Sequence, residues 1–132
     1  MMASPYIEHV NLSVSSPEQS AEMFGALFGW TIRWQGLSAL GGRTIHVGSA
    51  EHYVAVHQRV GADGSPCGHA KGRPLNHVGF VVDDLDDVER RVIAFGLTPL
   101  NHEDYEPGRR FYFFDRDGIE YEIISYARGS RT

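Results

Sequence analysis

The chain contains two copies of one sequence pattern, and this internal repeat limits its possible folds more than any other feature. Residues 7–13 read IEHVNLS and residues 75–81 read LNHVGFV, so a histidine stands at the same place in both. His9 and His77 are 68 residues apart; FGWT and FGLT then match at an offset of 67, and GGRTIHV and PGRRFYF at 66. Small insertions or deletions in loops give such a drift, so the chain is predicted to be a duplicated unit.

Each copy begins with a strand-like alternation and continues into a helix. In the first copy Val10 and Leu12 share one strand face, while His9 takes the other. Ser16 is a good helix N-cap, and Pro17 suits the first helical position. Three strand-like runs follow each helix, at residues 30–35, 43–48 and 53–58, and then at 98–102, 109–114 and 119–125. Each copy is therefore predicted to fold as βαβββ.

This order predicts an α+β fold made of two βαβββ modules, whose curved mixed sheets would form a cavity if their open faces turn towards each other. The whole chain, residues 1–132, is expected to be one domain. The modules are predicted at residues 5–60 and 74–127, and residues 61–73, rich in Gly and Pro, are expected to link them.

Composition and charge exclude several classes of protein. The net charge is −5 and no basic stripe is present, so nucleic acid is not an expected partner. The N-terminal sequence MMASPYIEHV has no apolar signal core, and no apolar run approaches the length of a membrane span. The single cysteine, Cys67, cannot form an intrachain disulfide and is interpreted as an incidental thiol. A cytoplasmic protein without a membrane partner is expected.

Histidines and carboxylates are predicted on the sheet faces opposite the helices. If Val10 and Leu12 pack under the first helix, His9 lies on the other face of its sheet, and His77 follows the same rule. In the closing strand, DGIEYEIIS, the alternation puts Glu120 and Glu122 on the non-helix face, and Glu120, which lies nearer the turn, is expected to be exposed to solvent. If the two faces turn towards each other, two imidazoles and a carboxylate converge on one cavity.

A histidine in a strand is more often a satisfied polar residue than a metal ligand, and His46 and His52 are interpreted in this way. The symmetric placement of His9 and His77 favours ligation for those two residues. A carboxylate at Glu122 would be costly if it were buried without a partner, and a cation is a suitable one.

The paired units carrying EHVNLSV, NHVGFVV and DRDGIEYEII resemble the vicinal oxygen chelate superfamily. This group includes glyoxalases, extradiol dioxygenases, and fosfomycin and bleomycin resistance proteins. The resemblance covers nearly the whole chain and implies that His9, His77 and Glu122 are metal ligands. Imidazole and carboxylate ligands suit one divalent ion, such as Fe(II), Mn(II), Zn(II), Ni(II) or Co(II).

One position departs from the glyoxalase pattern. Glyoxalase-type isomerases, which the chain resembles, carry a fourth ligand in the last strand of the first module. The offset of the repeat puts Ala55 at that position, and alanine cannot bind a metal. His57 lies two residues further on with the same strand parity, so it is a candidate catalytic residue; the alternative is an ordinary histidine near the sheet edge.

The segment GRRFYFFD supplies further candidates. Tyr112 is a candidate catalytic proton donor, and Arg110, Phe111 and Phe113 are candidate substrate-binding residues. Strand parity separates Arg110 and Tyr112 from the two phenylalanines, but it does not tell which pair faces the cavity.

Two functions from different classes are compatible with these features. The first is a divalent-metal-dependent dioxygenase, lyase or isomerase acting on a small substrate with vicinal oxygens. The second is a metal-free binding protein that sequesters a small drug, as bleomycin resistance proteins do. The resemblance also implies a homodimer, in which modules are sometimes exchanged between chains.

Overall fold

The computed structural model describes residues 7–37, 42–60, 66–67, 75–105 and 108–126. Residue contacts divide the chain into two compact units, Met1–Lys71 (unit 1) and Gly72–Thr132 (unit 2). Of the predicted linker 61–73, only residues 66–67 belong to the described part, and the side chain of Cys67 lies outside it.

Unit 1 contains a four-stranded mixed sheet and one helix. Its main elements are β1 (His9–Ser13), α1 (Pro17–Phe28), β2 (Thr31–Leu37), β3 (Arg43–Gly48) and β4 (Tyr53–His57), and a two-residue pair follows, β5 (Arg59–Val60) with β6 (Pro66–Cys67). The sheet order is β1-β4-β3-β2, with β1 parallel to β4 and the other neighbours antiparallel. The helix begins at the Ser16 cap, whose hydroxyl accepts from the Gln19 amide at 3.2 Å, and ends at Gly29, whose φ of 70° lies in the left-handed region.

Unit 2 repeats the same arrangement. Its elements are β7 (Val78–Val81), α2 (Leu85–Ala94), β8 (Leu100–Tyr105), β9 (Gly108–Phe114) and β10 (Glu120–Tyr126). The sheet order is β7-β10-β9-β8, and β7 is again parallel to the closing strand. Asp84 caps α2 by accepting from the Asp87 amide at 3.0 Å. The predicted α+β fold with two βαβββ repeats is therefore confirmed.

In both units one sheet face is apolar and buried. Unit 1 buries Ile45, Val47, Val54 and Val56 together with Phe24 and Leu27 of α1, and unit 2 buries Phe111, Phe113, Tyr121 and Ile123 together with Val88 and Val92 of α2. Strand alternation then turns the side chains of His9 and Tyr53 to the opposite, open face of the unit 1 sheet. In the unit 2 sheet the same alternation turns Tyr112 and Glu122 away from the core, to the open face. Neither described helix is long and apolar enough to span a membrane.

A buried polar contact fixes the turn between β9 and β10. The Tyr121 hydroxyl donates to Asp115 Oδ2 at 3.0 Å, and Asp115 Oδ1 accepts from the amides of Asp117 and Ile119 at 2.8 and 3.0 Å. Burial raises the pKa of Asp115, and these hydrogen bonds act against that increase. The carboxylate therefore depends on its donors to remain in a buried position.

Replacing Tyr121 with phenylalanine is expected to lower the free energy of unfolding by about 1–3 kcal/mol. The ring is kept, but the buried Oδ2 of Asp115 loses its hydroxyl donor. Urea unfolding followed by circular dichroism measures the change. Tyr126→Phe, on the same strand with its side chain partly exposed, is the matched control and is expected to alter stability little. Equal effects of the two substitutions would contradict the assigned role of the Tyr121 hydroxyl.

Candidate functional site

His77 and Glu122 meet on the open face of the unit 2 sheet. His77 directly precedes β7, and Glu122 lies on the neighbouring strand β10, where the register pairs it with Gly79. The His77 Nε2 atom is 3.0 Å from Glu122 Oε1. Gly79 has no side chain between the two residues, so the Glu122 carboxylate lies over the backbone of β7 and faces the imidazole. Two candidate metal ligands of the second module are thus in direct contact.

Arg110 holds the other oxygen of the same carboxylate. Its Nη1 donates to Glu122 Oε2 at 2.9 Å, and the side chains of Arg110 and Glu122 are only 14% and 12% exposed. A charge-assisted hydrogen bond in such a sheltered position is strong and directional. Arg110 therefore orients Glu122 so that Oε1 is the oxygen presented to His77.

Tyr112 completes this group of side chains. It lies directly opposite Glu122 in the antiparallel pair β9–β10, and its ring meets the His77 ring edge-on, with centroids 5.6 Å apart at 88°. Burial is the main factor that raises the pKa of Tyr112, and the carboxylates of Glu122 and Glu103 add to the increase. The hydroxyl therefore stays protonated at neutral pH and is available as a hydrogen-bond donor.

A cavity of about 450 Å³ opens beside this group in unit 2. It is lined by polar or hydroxyl-bearing residues: Asn76, His77, Asn101, His102, Glu103, Tyr112 and Glu120. Its β8 wall is irregular, because the register with β9 shifts between Leu100 and Glu103 and Asn101 adopts a φ of 54°. Asparagine tolerates this left-handed conformation better than most residues. The irregular strand gives the cavity its Asn101 and Glu103 side chains.

In unit 1, four aromatic or imidazole rings form a row across the open face of the sheet. His9 stacks on Tyr53 at 4.8 Å, Tyr53 on His46 at 4.5 Å, and His46 contacts Trp34 at 5.0 Å. These spacings are close to the distance between neighbouring strands, so side chains on adjacent strands stack without distortion. The Arg33 guanidinium lies 4.5 Å from the centre of the Tyr53 ring. His9 is thus held among rings on the open face.

Burial lowers the pKa of His46, and the neighbouring His9 and Arg33 lower it further. The His46 ring is therefore neutral at physiological pH. The ring stacks on Tyr53 and has a tilted contact with Trp34, which agrees with the interpretation of His46 as a packed histidine.

The sequence comparison with family models gives a match over residues 6–123, to the model described as Glyoxalase/Bleomycin resistance protein/Dioxygenase superfamily. The chain belongs to this superfamily. The predicted resemblance to vicinal oxygen chelate proteins is therefore confirmed. No curated protein sequence matches the chain.

Several solved structures have a fold similar to that of this chain. A glyoxylase/bleomycin resistance protein/dioxygenase domain from Frankia sp. EAN1pec gives a TM-score of 0.77 at 20% identity, covering 96% of each chain. FosX, the fosfomycin resistance protein of Listeria monocytogenes, in complex with Mn(II) and sulfate, gives 0.71 at 17% identity and covers 98% of each chain. TnmS3, an antibiotic binding protein from Streptomyces sp. CB03234, gives 0.71 at 17% identity, covering 96% of this chain and 100% of its own.

The closing strand of unit 1, β4, contains no carboxylate residue. The register pairs Ala55 with Asn11, two residues after His9, just as it pairs Glu122 with Gly79, two residues after His77. Ala55 therefore occupies the position in unit 1 that Glu122 occupies in unit 2. This correspondence, expected from the repeat, follows directly from the strand pairing.

The structure separates the other candidate residues into buried and partly buried ones. His57 is buried on the same face of β4 as Tyr53, and its Nδ1 lies 2.8 Å from the Thr44 hydroxyl, so the imidazole has a hydrogen-bonding partner there. Phe111 and Phe113 are fully buried in unit 2, so they have no surface with which to contact a substrate there and serve as core residues instead. Arg110 and Tyr112 of the same strand lie on its other face, the open side of the sheet.

Sequence reasoning missed the polar residues that precede the two histidines. His9 Nδ1 is 2.9 Å from Glu8 Oε1, and His77 Nδ1 is 2.6 Å from Asn76 Oδ1. The available signal was a residue with a side-chain oxygen directly before each repeated histidine. The cavity residue Asn101 was missed as well, because a strand irregularity leaves little trace in the sequence.

Proposed function

We propose that this superfamily member is a divalent-metal-dependent enzyme that acts on a small substrate with two adjacent oxygen atoms. The main support is the 3.0 Å contact between His77 Nε2 and Glu122 Oε1. His77 Nδ1 contacts Asn76 Oδ1, an atom that only accepts hydrogen bonds, so Nδ1 carries a hydrogen. In a neutral ring Nε2 then has only a lone pair, and that lone pair faces a carboxylate oxygen. A cation, either a second ring proton or a metal ion, therefore belongs between Nε2 and Oε1.

The donor set fits a divalent metal ion. Two ligand atoms that each lie about 2.1 Å from an ion, at a right angle to one another, are about 3.0 Å apart. The His77–Glu122 separation has this value. Imidazole nitrogen and carboxylate oxygen suit Fe(II), Mn(II), Zn(II), Ni(II) or Co(II). The Mn(II) complex of FosX, a protein with the same fold, is compatible with this choice of ions.

A third ligand is required, because protein metal sites generally use at least three side chains. Among the described residues no group of three or more His, Cys, Asp or Glu side chains is arranged to hold a metal ion. We propose His9 as the third ligand, supplied by the same chain or by the second chain of a homodimer. Its repeat position, equivalent to that of His77, supports this choice.

When bound, the ion would act as a Lewis acid that polarises a substrate oxygen and leaves coordination positions open for two neighbouring oxygens. His77 and Glu122 would hold the ion, and Arg110 would keep the Glu122 carboxylate in the orientation that presents Oε1. Tyr112 would donate a hydrogen bond from its protonated hydroxyl to a substrate oxygen in the cavity. These roles are compatible with a lyase, an isomerase or, with iron, a dioxygenase.

Metal titration of the purified protein tests the proposal. Isothermal titration calorimetry with Mn(II) and Zn(II), and elemental analysis after anaerobic purification, are expected to give a single ion per chain. His77→Ala and His9→Ala are each expected to weaken metal binding by more than about 100-fold. This exceeds the effect usually seen when a residue that only hydrogen-bonds to a metal ligand is changed. His52→Ala, an exposed histidine outside the candidate site, is the matched control and should bind as the wild type does. A wild-type chain that binds none of these ions contradicts the proposal.

A second candidate is a metal-free protein that binds an aromatic drug. The exposed ring row of unit 1, with Trp34 48% exposed at its end, supports this function because planar ligands stack on such rings. The antibiotic binding protein TnmS3 has the same fold. A thermal-shift screen in the presence of a chelator separates the two candidates: a drug-binding protein is stabilised by aromatic compounds without metal, and the proposed enzyme is not.

A further inference from the structure

The two proposed ligand histidines carry the same additional contact. In unit 1 the side chain of Glu8 contacts Nδ1 of His9 at 2.9 Å, and in unit 2 the side chain of Asn76 contacts Nδ1 of His77 at 2.6 Å. Each contact joins a residue to its direct neighbour in the chain, at equivalent positions of the repeat. The contact therefore recurs in both copies although glutamate replaces asparagine.

We propose that Glu8 and Asn76 are positioning residues that fix both histidines with a hydrogen on Nδ1, so that Nε2 is the metal-binding atom. An ionised carboxylate has only acceptor atoms, and Oδ1 of an asparagine is likewise an acceptor. When Nε2 binds a metal ion, an Nδ1 in contact with either oxygen must therefore be the hydrogen-bond donor. Histidines that bind metals commonly hold their second nitrogen in this way. The inference rests on the proposed metal-dependent function.

A tyrosine restricts each ring further. Tyr53 stacks on His9 with an interplanar angle of 9°, and Tyr112 meets His77 edge-on at 88°. The neighbour's oxygen determines which nitrogen carries the hydrogen, while the tyrosine limits rotation of the ring. In unit 2 the contacts with Asn76 and Tyr112 direct His77 Nε2 at Glu122 Oε1. The other carboxylate oxygen, Oε2, accepts the hydrogen bond from Arg110.

His102 provides an internal contrast. Its Nε2, not its Nδ1, contacts a carboxylate, Glu89 Oε2 at 2.8 Å, and it stacks on the buried Phe111. The same reasoning predicts a hydrogen on Nε2 for this residue. His102 is therefore expected to remain unaffected by changes at Glu8 or Asn76.

Two-dimensional ¹⁵N–¹H NMR of the imidazole rings in the full-length protein tests the assignment at mildly alkaline pH. The metal-free protein serves for His9 and His102, and the Zn(II)-loaded protein for His77, whose Nε2 otherwise faces Glu122 Oε1. His9 and His77 are expected to show a hydrogen on Nδ1, and His102 a hydrogen on Nε2. Glu8→Ala is expected to change the signals of His9 alone, and Asn76→Ala those of His77 alone. Glu8→Gln and Asn76→Asp keep an acceptor oxygen and are expected to restore the wild-type pattern.

Metal titration of the same variants gives an independent measurement. Glu8→Ala and Asn76→Ala are each expected to weaken Mn(II) or Zn(II) binding by about 10- to 100-fold, with recovery in Glu8→Gln and Asn76→Asp. If the wild type binds metal while both alanine variants keep its affinity and its ring signals, the positioning role is wrong and the proposed function stands. A wild type that binds no metal overturns the proposed function, and the positioning role with it.

Discussion

Replacing Glu122 with alanine is expected to have two separate effects, loss of metal binding and a loss of stability of about 2–3 kcal/mol. Metal binding is expected to be lost because Glu122 Oε1 is one of the two proposed metal-binding atoms of unit 2, in contact with the other, His77 Nε2. The loss of stability follows because Glu122 Oε2 accepts the hydrogen bond of the sheltered Arg110 guanidinium. Removing one partner of such an ion pair leaves a charge in a poorly solvated place. Calorimetric titration and urea unfolding measure the two effects.

Two further variants separate these effects. Glu122→Gln keeps an oxygen for Arg110 but removes the negative charge, so it is expected to retain most of the stability and to lose most of the metal affinity. His77→Ala removes the other proposed ligand but leaves the hydrogen bond between Arg110 and Glu122 intact. This variant is therefore expected to lose metal affinity and to keep nearly all of its stability. A Glu122→Ala protein with wild-type metal affinity would show that this carboxylate has only a structural role.

Replacing Phe111 with alanine is expected to destabilise the protein by about 3–5 kcal/mol. The Phe111 side chain is fully buried in the core of unit 2, where it lies opposite Ile123 and stacks with His102. Truncation removes the contacts of a whole ring and leaves a cavity that the rigid sheet cannot close. Chemical or thermal unfolding monitored by circular dichroism measures the loss.

Phe114→Ala is the matched control for this experiment. It makes the same change three residues further along β9, but its side chain is 46% exposed, so the expected loss is below about 1 kcal/mol. Similar losses in both variants would contradict the assignment of Phe111 to the core. A Phe111→Leu protein that stays folded is expected to bind metal as the wild type does, because the residue has no surface at the candidate site.

Local signals were sufficient to predict the order of the elements. Helix α1 begins after Ser16 and ends before Gly29, and both residues have the backbone geometry expected of helix caps. The alternation of β10 predicts that Tyr121 and Glu122 point to opposite faces, and they do. Such patterns depend on neighbouring residues only, so a single sequence contains them.

The boundaries of β8 show where this reasoning fails. The sequence predicts a strand at residues 98–102, whereas the strand spans Leu100–Tyr105. Pro99 has no amide hydrogen for a ladder hydrogen bond, so pairing starts after it. The register shift beyond Leu100 and the left-handed Asn101 depend on pairing with β9, which is a tertiary interaction.

The candidate site was predictable in part. The duplication and the strand alternation were sufficient to select His77 and a carboxylate of the closing strand, and the family resemblance then selected Glu122. The side chains of His77 and Glu122 are in contact, while their metal-binding role stays a prediction. Alternation also places Arg110 and Phe111 on opposite faces of the sheet, but deciding which of them lies on the open face requires knowledge of which face the helix covers. The hydrogen bonds of Glu8 and Asn76 depend on ring orientation, which strand parity does not specify.

The parallel pairing of first and last strands has a consequence for biosynthesis. Among the strands that the structure describes, β1 pairs only with β4, so a nascent chain that ends before Tyr53 does not yet contain the strand that pairs with β1. The same dependence of β7 on β10 delays completion of the second sheet until Tyr126 has been added. We expect the halves to fold in sequence on the ribosome, each in a late step once its closing strand has emerged.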